Sequence, residues 1–409
     1  MKERREYLSI HIGSPVWGCD FFDREEIIHE CWKILDDSSV ILSAPRRYGK
    51  SSVMLHLRDN PPDEFFPIYF ELEDHFNINA FIVELISKIV ENDKSIFKKF
   101  QKGFSKIFKD IEEIDLWKFK IKLKKALEIE RDWEIWKERV NQLILDLLTN
   151  RKPQKLIFIF DEFPLMLYNF ISEGEKGERE AVKVLQWLRK LRHDSPFMEK
   201  IRFIFGGSIG IEKVVSYLKA TRTINDVAKI NIGPFERGVV EDFIKEVFRV
   251  KEIPVDDRVI QTIIEVVGTL IPIYLQIMID SIIKESMNTG KEINPALVKY
   301  CYERRVHGPE YKRYFEDYYE RLWRYYSKED SKSAKRMLRE LANAEDGILY
   351  NTLFLIYQEE MGNSGDKEKF ELLLAALEND FYIERNAAEA KIFFQNKWLK
   401  DWWRIYHGI

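Results

Sequence analysis

The sequence predicts an α/β fold: a parallel-sheet domain with a helical insertion, then a helical section, then a small module of three helices and a hairpin. Three observations carry this. Short apolar runs alternate with helical stretches through the first 235 residues. Beyond Pro234 the pattern turns helical. Near the end, three helical stretches precede two short strand-like runs. Strands alternating with helices indicate a parallel sheet, because a parallel crossover needs a connection long enough to hold a helix.

Five runs are expected as strands: 40–42, 66–72, 155–160, 201–205 and 229–232. The third and fourth are almost wholly apolar, as central strands covered on both faces must be. Between the second and third lies a mostly helical insertion, 77–151. Within it, 81–90 and 133–148 read as helices. Phe97, Phe100, Phe104 and Phe108 recur at three to four residues, the spacing of an amphipathic helix. Trp117-Lys-Phe-Lys-Ile-Lys-Leu-Lys124 alternates strictly and is expected as a half-buried strand with a lysine face.

In the helical section, 241–250, 257–267 and 272–287 are the expected helices. Asp256-Asp257 offers a cap for the second, and Gly268 can end it. The stretch 295–326 is expected to continue as charged and aromatic helix. The last section opens near Ser327, with helices at 335–344, 349–360 and 367–379. Strands 381–384 and 391–394 follow around the turn Asn386-Ala-Ala-Glu389. Three helices and a two-stranded wing make a winged-helix module. The expected domains are therefore 1–235, 236–326 and 327–409.

Composition narrows the function classes. Over 409 residues, 45% hydrophobic and 14% aromatic content can fill two or three cores. The net charge of −4 gives no global case for nucleic acid. Cys19, Cys31 and Cys301 are odd in number and widely spaced, so no disulfide framework or metal motif follows and a cytoplasmic setting is expected. No apolar stretch of about 18 residues is present, so no membrane span is expected.

The chemistry concentrates in Ala44-Pro-Arg-Arg-Tyr-Gly-Lys-Ser51, between the strand 40–42 and a helix that opens with Ser52-Val-Met-Leu. A small residue, four free positions and Gly-Lys-Ser between strand and helix make a phosphate-binding P-loop. Ala44, Pro45, Arg46, Arg47, Tyr48, Gly49, Lys50, Ser51 and Ser52 are the expected nucleotide contacts. Backbone N–H groups of the loop and first helical turn favour phosphate. Lys50 would reach the β- and γ-phosphates, and the Ser51 hydroxyl would bind Mg²⁺.

A second element supports the first. The apolar strand 156–160 ends in Asp161-Glu162, the Walker B pattern. Asp161 would hold the metal. Glu162 would orient and deprotonate the attacking water, which is neutral and must lose a proton. Ser208, in Gly206-Gly-Ser208 after the fourth strand, is the candidate to sense the γ-phosphate; the alternative is an incidental serine in a glycine turn.

The chain resembles the archaeal-type ATPase family, a branch of the AAA+/STAND class of P-loop ATPases. Gly18 with Phe21-Phe-Asp-Arg-Glu25 resembles its lead-in, and Pro45-Arg-Arg-Tyr-Gly-Lys50 its loop. Phe158-Ile-Phe-Asp-Glu-Phe163 resembles its Walker B, and Asn231-Ile-Gly-Pro-Phe235 the opening of its lid. Gly268-Thr-Leu-Ile-Pro272 resembles its lid motif with wider spacing, and Phe394-Gln-Asn-Lys-Trp-Leu-Lys-Asp-Trp-Trp403 its C-terminal winged helix. The resemblance implies an ATPase with ATP and Mg²⁺ as cofactors, a lid that closes on nucleotide, and use as a conformational switch, with defence or stress signalling fitting the class. A homo-oligomer or a protein partner at the lid or winged helix is expected. The resemblance also implies a transition-state arginine, for which Arg222, in Thr221-Arg-Thr223, is the candidate acting on a neighbouring subunit, the alternative being a surface arginine; Arg46 and Arg47 could instead contact phosphate or clamp the lead-in at 22–25.

Two competing functions are weighed beside it. Lys94, Lys98, Lys99, Lys102, Lys106 and Lys109, with Lys118, Lys120, Lys122 and Lys124, would suit a nucleic-acid-remodelling ATPase. Asp110, Glu112, Glu113 and Asp115 offset that charge, and a solvated face is the favoured reading. The helix 367–379 is apolar and acidic, unlike a base-reading helix. The other competitor is a nucleotide-dependent scaffold with negligible hydrolysis, against which the intact Asp161-Glu162 pair argues.

Overall fold

The computed structural model describes residues 8–93, 95–98, 116–129, 132–151, 153–362 and 365–408. The chain divides into two compact units. One comprises Arg24–Ala44 and Lys50–Ile232; the other comprises Met1–Asp23, Pro45–Gly49 and Gly233–Ile409.

The first unit is built on a five-stranded parallel sheet of order β2-β3-β4-β1-β5. The strands are β1 (Val40–Ser43), β2 (Phe65–Glu71), β3 (Lys155–Asp161), β4 (Ile201–Gly206) and β5 (Ala228–Asn231). All five expected strands are present. The insertion of β4 between β1 and β3 is invisible to a linear reading. Every residue of β4 is buried, and so is every residue of β3 after Lys155, so helices must cover both faces. The core is aromatic: Phe160 stacks on Phe163 at 5.6 Å, and Phe203 lies parallel to Phe205 at 5.6 Å.

Around the sheet run α1 (Glu25–Leu35), α2 (Lys50–Asp59), α3 (Ile78–Asn92), α4 (Leu116–Ile129), α5 (Trp133–Asn150), α6 (Phe163–Ser172), α7 (Glu175–His193) and α8 (Ile211–Tyr217). Asn77 caps α3, its side chain accepting from Ala80 N at 3.0 Å. The insertion is helical as expected, with α4 and α5 both packed on α3. One part of that reading is corrected: 117–124 is helix, not strand. Phe119, Leu123, Ala126 and Leu127 are buried at helical spacing, whereas Trp117 is 73% exposed. Burial at i, i+4, i+7 and i+8 overrides the alternating pattern, and Leu, Lys and Ala are all good helix formers. Lys118, Lys120, Lys122 and Lys124 therefore do not share one face. Phe97 is described and packs on Phe119 at 5.7 Å. Phe100, Phe104, Phe108, Lys94, Lys99, Lys102, Lys106 and Lys109 lie outside the described residues.

The second unit contains α9 (Arg237–Val250), α10 (Asp257–Val267), α11 (Pro272–Thr289), α12 (Pro295–Cys301) and α13 (Arg313–Tyr325). Asp256 caps α10 as expected, accepting from Val259 N at 2.9 Å, and Gly268 ends it at φ +68°. The expected run 295–326 is not one helix. It breaks at a π-helical turn, Tyr302–Val306, and Gly308-Pro309 follows. Proline cannot continue the hydrogen-bond ladder, and a Cβ at Gly308 would lie 3.0 Å from Arg305 O.

The same unit holds α14 (Lys328–Asn343), α15 (Tyr350–Met361), α16 (Lys367–Asn379) and α17 (Lys397–His407). The hairpin is β7 (Ile383–Asn386) with β8 (Lys391–Phe394), extended by a short strand β6 (Ile348–Leu349) in the order β6-β8-β7. Both C-terminal tryptophans are buried. Trp402 stacks on Phe315 of α13 at 6.2 Å, whereas Trp403 faces Phe394 of β8 at 5.8 Å. Trp398 stacks on Tyr274 of α11 at 4.8 Å, and its indole N–H donates to Val266 O at 3.1 Å. Among the described residues no helix is long and apolar enough to cross a membrane.

Candidate functional site

The site starts from the ends of neighbouring strands. In this sheet order, the carboxyl ends of β1, β4 and β3 lie side by side. Strand β1 runs into the loop 44–49, and α2 begins at Lys50. Arg47 (φ +73°) and Gly49 (φ +90°) have left-handed backbone, which a tight turn into a helix requires. Ala44 is buried, at 3% exposure.

Lys50 is 6% exposed. Its ammonium donates to Gly207 O and to Ala44 O, the latter at 3.4 Å. The glycine pair after β4 makes this closeness possible. A Cβ at Gly206 would lie 1.9 Å from Met54 Cε and 3.3 Å from Lys50 Cδ. One at Gly207 would lie 2.5 Å from Pro164 Cδ. Both glycines are thus packing requirements beneath α2 and α6. Ser51 is half-buried in the first turn of α2, and Ser52 is buried.

Asp161, the last residue of β3, is 4% exposed. Its Oδ2 accepts from the Tyr69 hydroxyl at 2.8 Å and its Oδ1 from Glu162 N at 3.0 Å. Burial first, and then the Asp161 charge, push the Tyr69 phenol well above its usual range, so it stays a donor. Sequence reasoning missed Tyr69. Its only signal was a polar-tipped side chain near the end of an apolar strand. Glu162 has left-handed backbone at φ +56° and sits at the N-cap of α6. Its Oε2 accepts from Ser208 N at 2.8 Å and from Ser208 Oγ at 2.9 Å. Ser208 is 2% exposed. Lys50, Asp161, Glu162 and Ser208 are therefore gathered at adjacent strand ends. Arg222 is placed differently: it is exposed on the turn Thr221–Thr223, and its carbonyl accepts from Arg189.

The loop arginines have partners on α13, within the second unit. Arg46 donates to Asp317 Oδ1 at 2.9 Å and Oδ2 at 2.8 Å. Arg47 donates to Tyr314 O, and its guanidinium lies 4.7 Å from the centre of the Tyr314 ring. Neither α13 partner is legible in the sequence, because some 270 residues separate them from the loop.

The fold matches solved structures. The chain resembles the Walker-type ATPase of Pyrococcus abyssi at 18% identity, covering 97% of this chain and 99% of that one with a TM-score of 0.61. This chain has the AAA+ P-loop fold. It also resembles the Aeropyrum pernix ORC2 protein, solved in ADPNP–ADP complexes, at 12% identity with a TM-score of 0.54. That similarity covers 100% of this chain and 99% of the other. No family model matches the sequence, and no curated protein matches it.

Proposed function

We propose that this chain binds ATP with Mg²⁺, hydrolyses it, and uses the nucleotide state as a conformational switch. The observation that carries the reading is the meeting of Lys50, Asp161, Glu162 and Ser208 at adjacent strand ends, with a P-loop sequence leading into α2. Lys50 would place its positive charge against the β- and γ-phosphates, where negative charge builds during transfer. Glu162 would take the proton of an attacking water. Ser208 would fix the carboxylate through two hydrogen bonds to one oxygen, leaving the other oxygen for the water.

The donors suit Mg²⁺. Ser51 and Asp161 offer hard oxygens, and no group of three or more His, Cys, Asp or Glu among the described residues could hold a metal ion alone. Mg²⁺ takes one or two protein oxygens and completes its shell with phosphate and water. When bound, it would neutralise charge on the phosphates. The output would run through the helices of 236–326 and the winged-helix module of 327–409, and Arg222 would serve a neighbouring copy.

Fluorescent-nucleotide titration and phosphate release test the reading on two variants. Lys50→Ala should lose both tight ATP binding and turnover. Glu162→Gln should keep ATP affinity and lose turnover by about a hundredfold or more, the usual size of a general-base contribution. Turnover that survives Glu162→Gln while Lys50→Ala abolishes it would sink the catalytic assignment.

A further inference from the structure

Helix α13 grips the segment 45–49 with several side chains. Besides accepting from one Arg46 guanidinium nitrogen on both of its oxygens, Asp317 lies 3.9 Å from Arg47. The Tyr318 hydroxyl donates to Arg46 O at 3.4 Å. The same helix is anchored in the core by Phe315 and Leu322, which are fully buried.

One helical turn after Asp317 stands Arg321, only 2% exposed. Burial opposes its charge, yet Tyr382, Asp380, Tyr318 and Asp317 together make it hold its proton more firmly than usual. Asp380 and Tyr382 belong to the C-terminal module, just before β7. Asp380 accepts from the Tyr326 hydroxyl at 2.6 Å, and the Tyr382 hydroxyl donates to Tyr318 O at 2.7 Å. So α13 carries a carboxylate that holds the loop and, four residues on, a buried guanidinium facing the hairpin module.

The Arg46–Asp317 pair is reachable from solvent. The side chains are 25% and 22% exposed, and a cleft of about 330 Å³ lined by Arg47, Arg313, Tyr314, Glu316, Asp317 and Glu320 opens beside them. A partly exposed ion pair is weaker than a forked guanidinium–phosphate contact, which is among the stronger charge-assisted bonds.

We propose that Asp317 is a positioning residue that holds Arg46 in the resting state, and that nucleotide phosphate draws Arg46 away and thereby frees α13 to reseat the C-terminal module. The inference rests on the ATP-binding reading above. A charged carboxylate on α13 competes with phosphate for one guanidinium, and the loser sets the helix position.

The test measures ATP affinity by fluorescent-nucleotide titration and hydrogen exchange of 313–325 with and without ATP. It compares the full-length protein with its Asp317→Asn, Arg46→Lys and doubly substituted forms. Asp317→Asn should tighten ATP binding about five-fold, the scale of one partly exposed ion pair. Asp317→Asn should also abolish the ATP-dependent change in exchange at 313–325. With Arg46→Lys, which keeps charge but loses the fork, the Asp317→Asn gain should shrink below two-fold. Should the asparagine variant fold poorly, Asp317→Glu serves in its place, with an affinity between the two. A purely structural role would lower thermal stability and leave ATP affinity alone. Unchanged affinity in Asp317→Asn, or an ATP response at 313–325 that persists in it, overturns the inference. No ATP binding by the parent protein would instead overturn the proposed function and this inference with it.

Discussion

Ser208→Ala is the most direct probe of how the carboxylate beside β3 is held. Two donors converge on Glu162 Oε2, the Ser208 N–H at 2.8 Å and its hydroxyl at 2.9 Å. The substitution removes the second and leaves the first. A hydrogen bond to a charged group contributes about 1.5–3 kcal/mol. With the backbone N–H still in place, the lower end applies, about 1.5 kcal/mol of lost orientation. If that loss falls on the transition state, kcat drops about tenfold. ATP affinity should stay within two-fold, because Lys50 and the loop 44–49 keep their contacts. Initial rates of phosphate release across ATP concentrations separate the two parameters, and nucleotide titration checks binding independently. The Glu162→Gln background supplies the control: there, Ser208→Ala should cost nothing further, because the residues act as a unit. A kcat within two-fold of the parent, or a loss confined to KM, refutes the argument that Ser208 acts through Glu162.

Two more outcomes follow from burial. Phe119→Ala should cost about 3–5 kcal/mol of stability by denaturant titration, whereas Trp117→Ala should change it by less than about 0.5 kcal/mol. A strand with a buried Trp117-Phe119-Ile121-Leu123 face would make both severe, so the pair of variants tests the helix directly. The thiols should react unequally. Burial, and then the Glu30 charge, push Cys31 up to about 12, and burial pushes Cys301 up to about 11, whereas Cys19 is exposed. At pH 8 one equivalent of thiol should label quickly in the native protein and three after denaturation. The sign of the pH effect follows. The folded chain keeps these two protons where the unfolded chain, near the ordinary thiol value of 9.0, releases them, so their contribution is intact below pH 9 and declines as pH rises toward 11–12. Fast labelling of two or three native thiols at pH 8 would contradict the buried placement.

Local signals made the strands, the P-loop and the Asp161-Glu162 pair legible. Continuous apolar runs as in β3 and β4 are a property of consecutive residues, and so are a Gly-Lys-Ser turn and a cap such as Asp256. The stretch 117–124 alternates like a strand over its own eight residues, but the burial period that includes Ala126 and Leu127 beyond it is helical. The break at Gly308-Pro309 has only the proline as its local signal, inside an otherwise helical stretch.

By itself the sequence determined which residues carry the chemistry proposed for phosphate and metal, because that chemistry resides in side-chain type and near spacing. The tertiary structure decided the rest. It placed β4 between β1 and β3, so that Ser208 meets Glu162 and Gly207 meets Lys50. It brought Tyr69 to Asp161 across the β2–β3 pairing, and it gave Arg46 and Arg47 partners on α13. These contacts join residues 46 to 271 positions apart. Strand order and helix packing set them, and no local pattern encodes either.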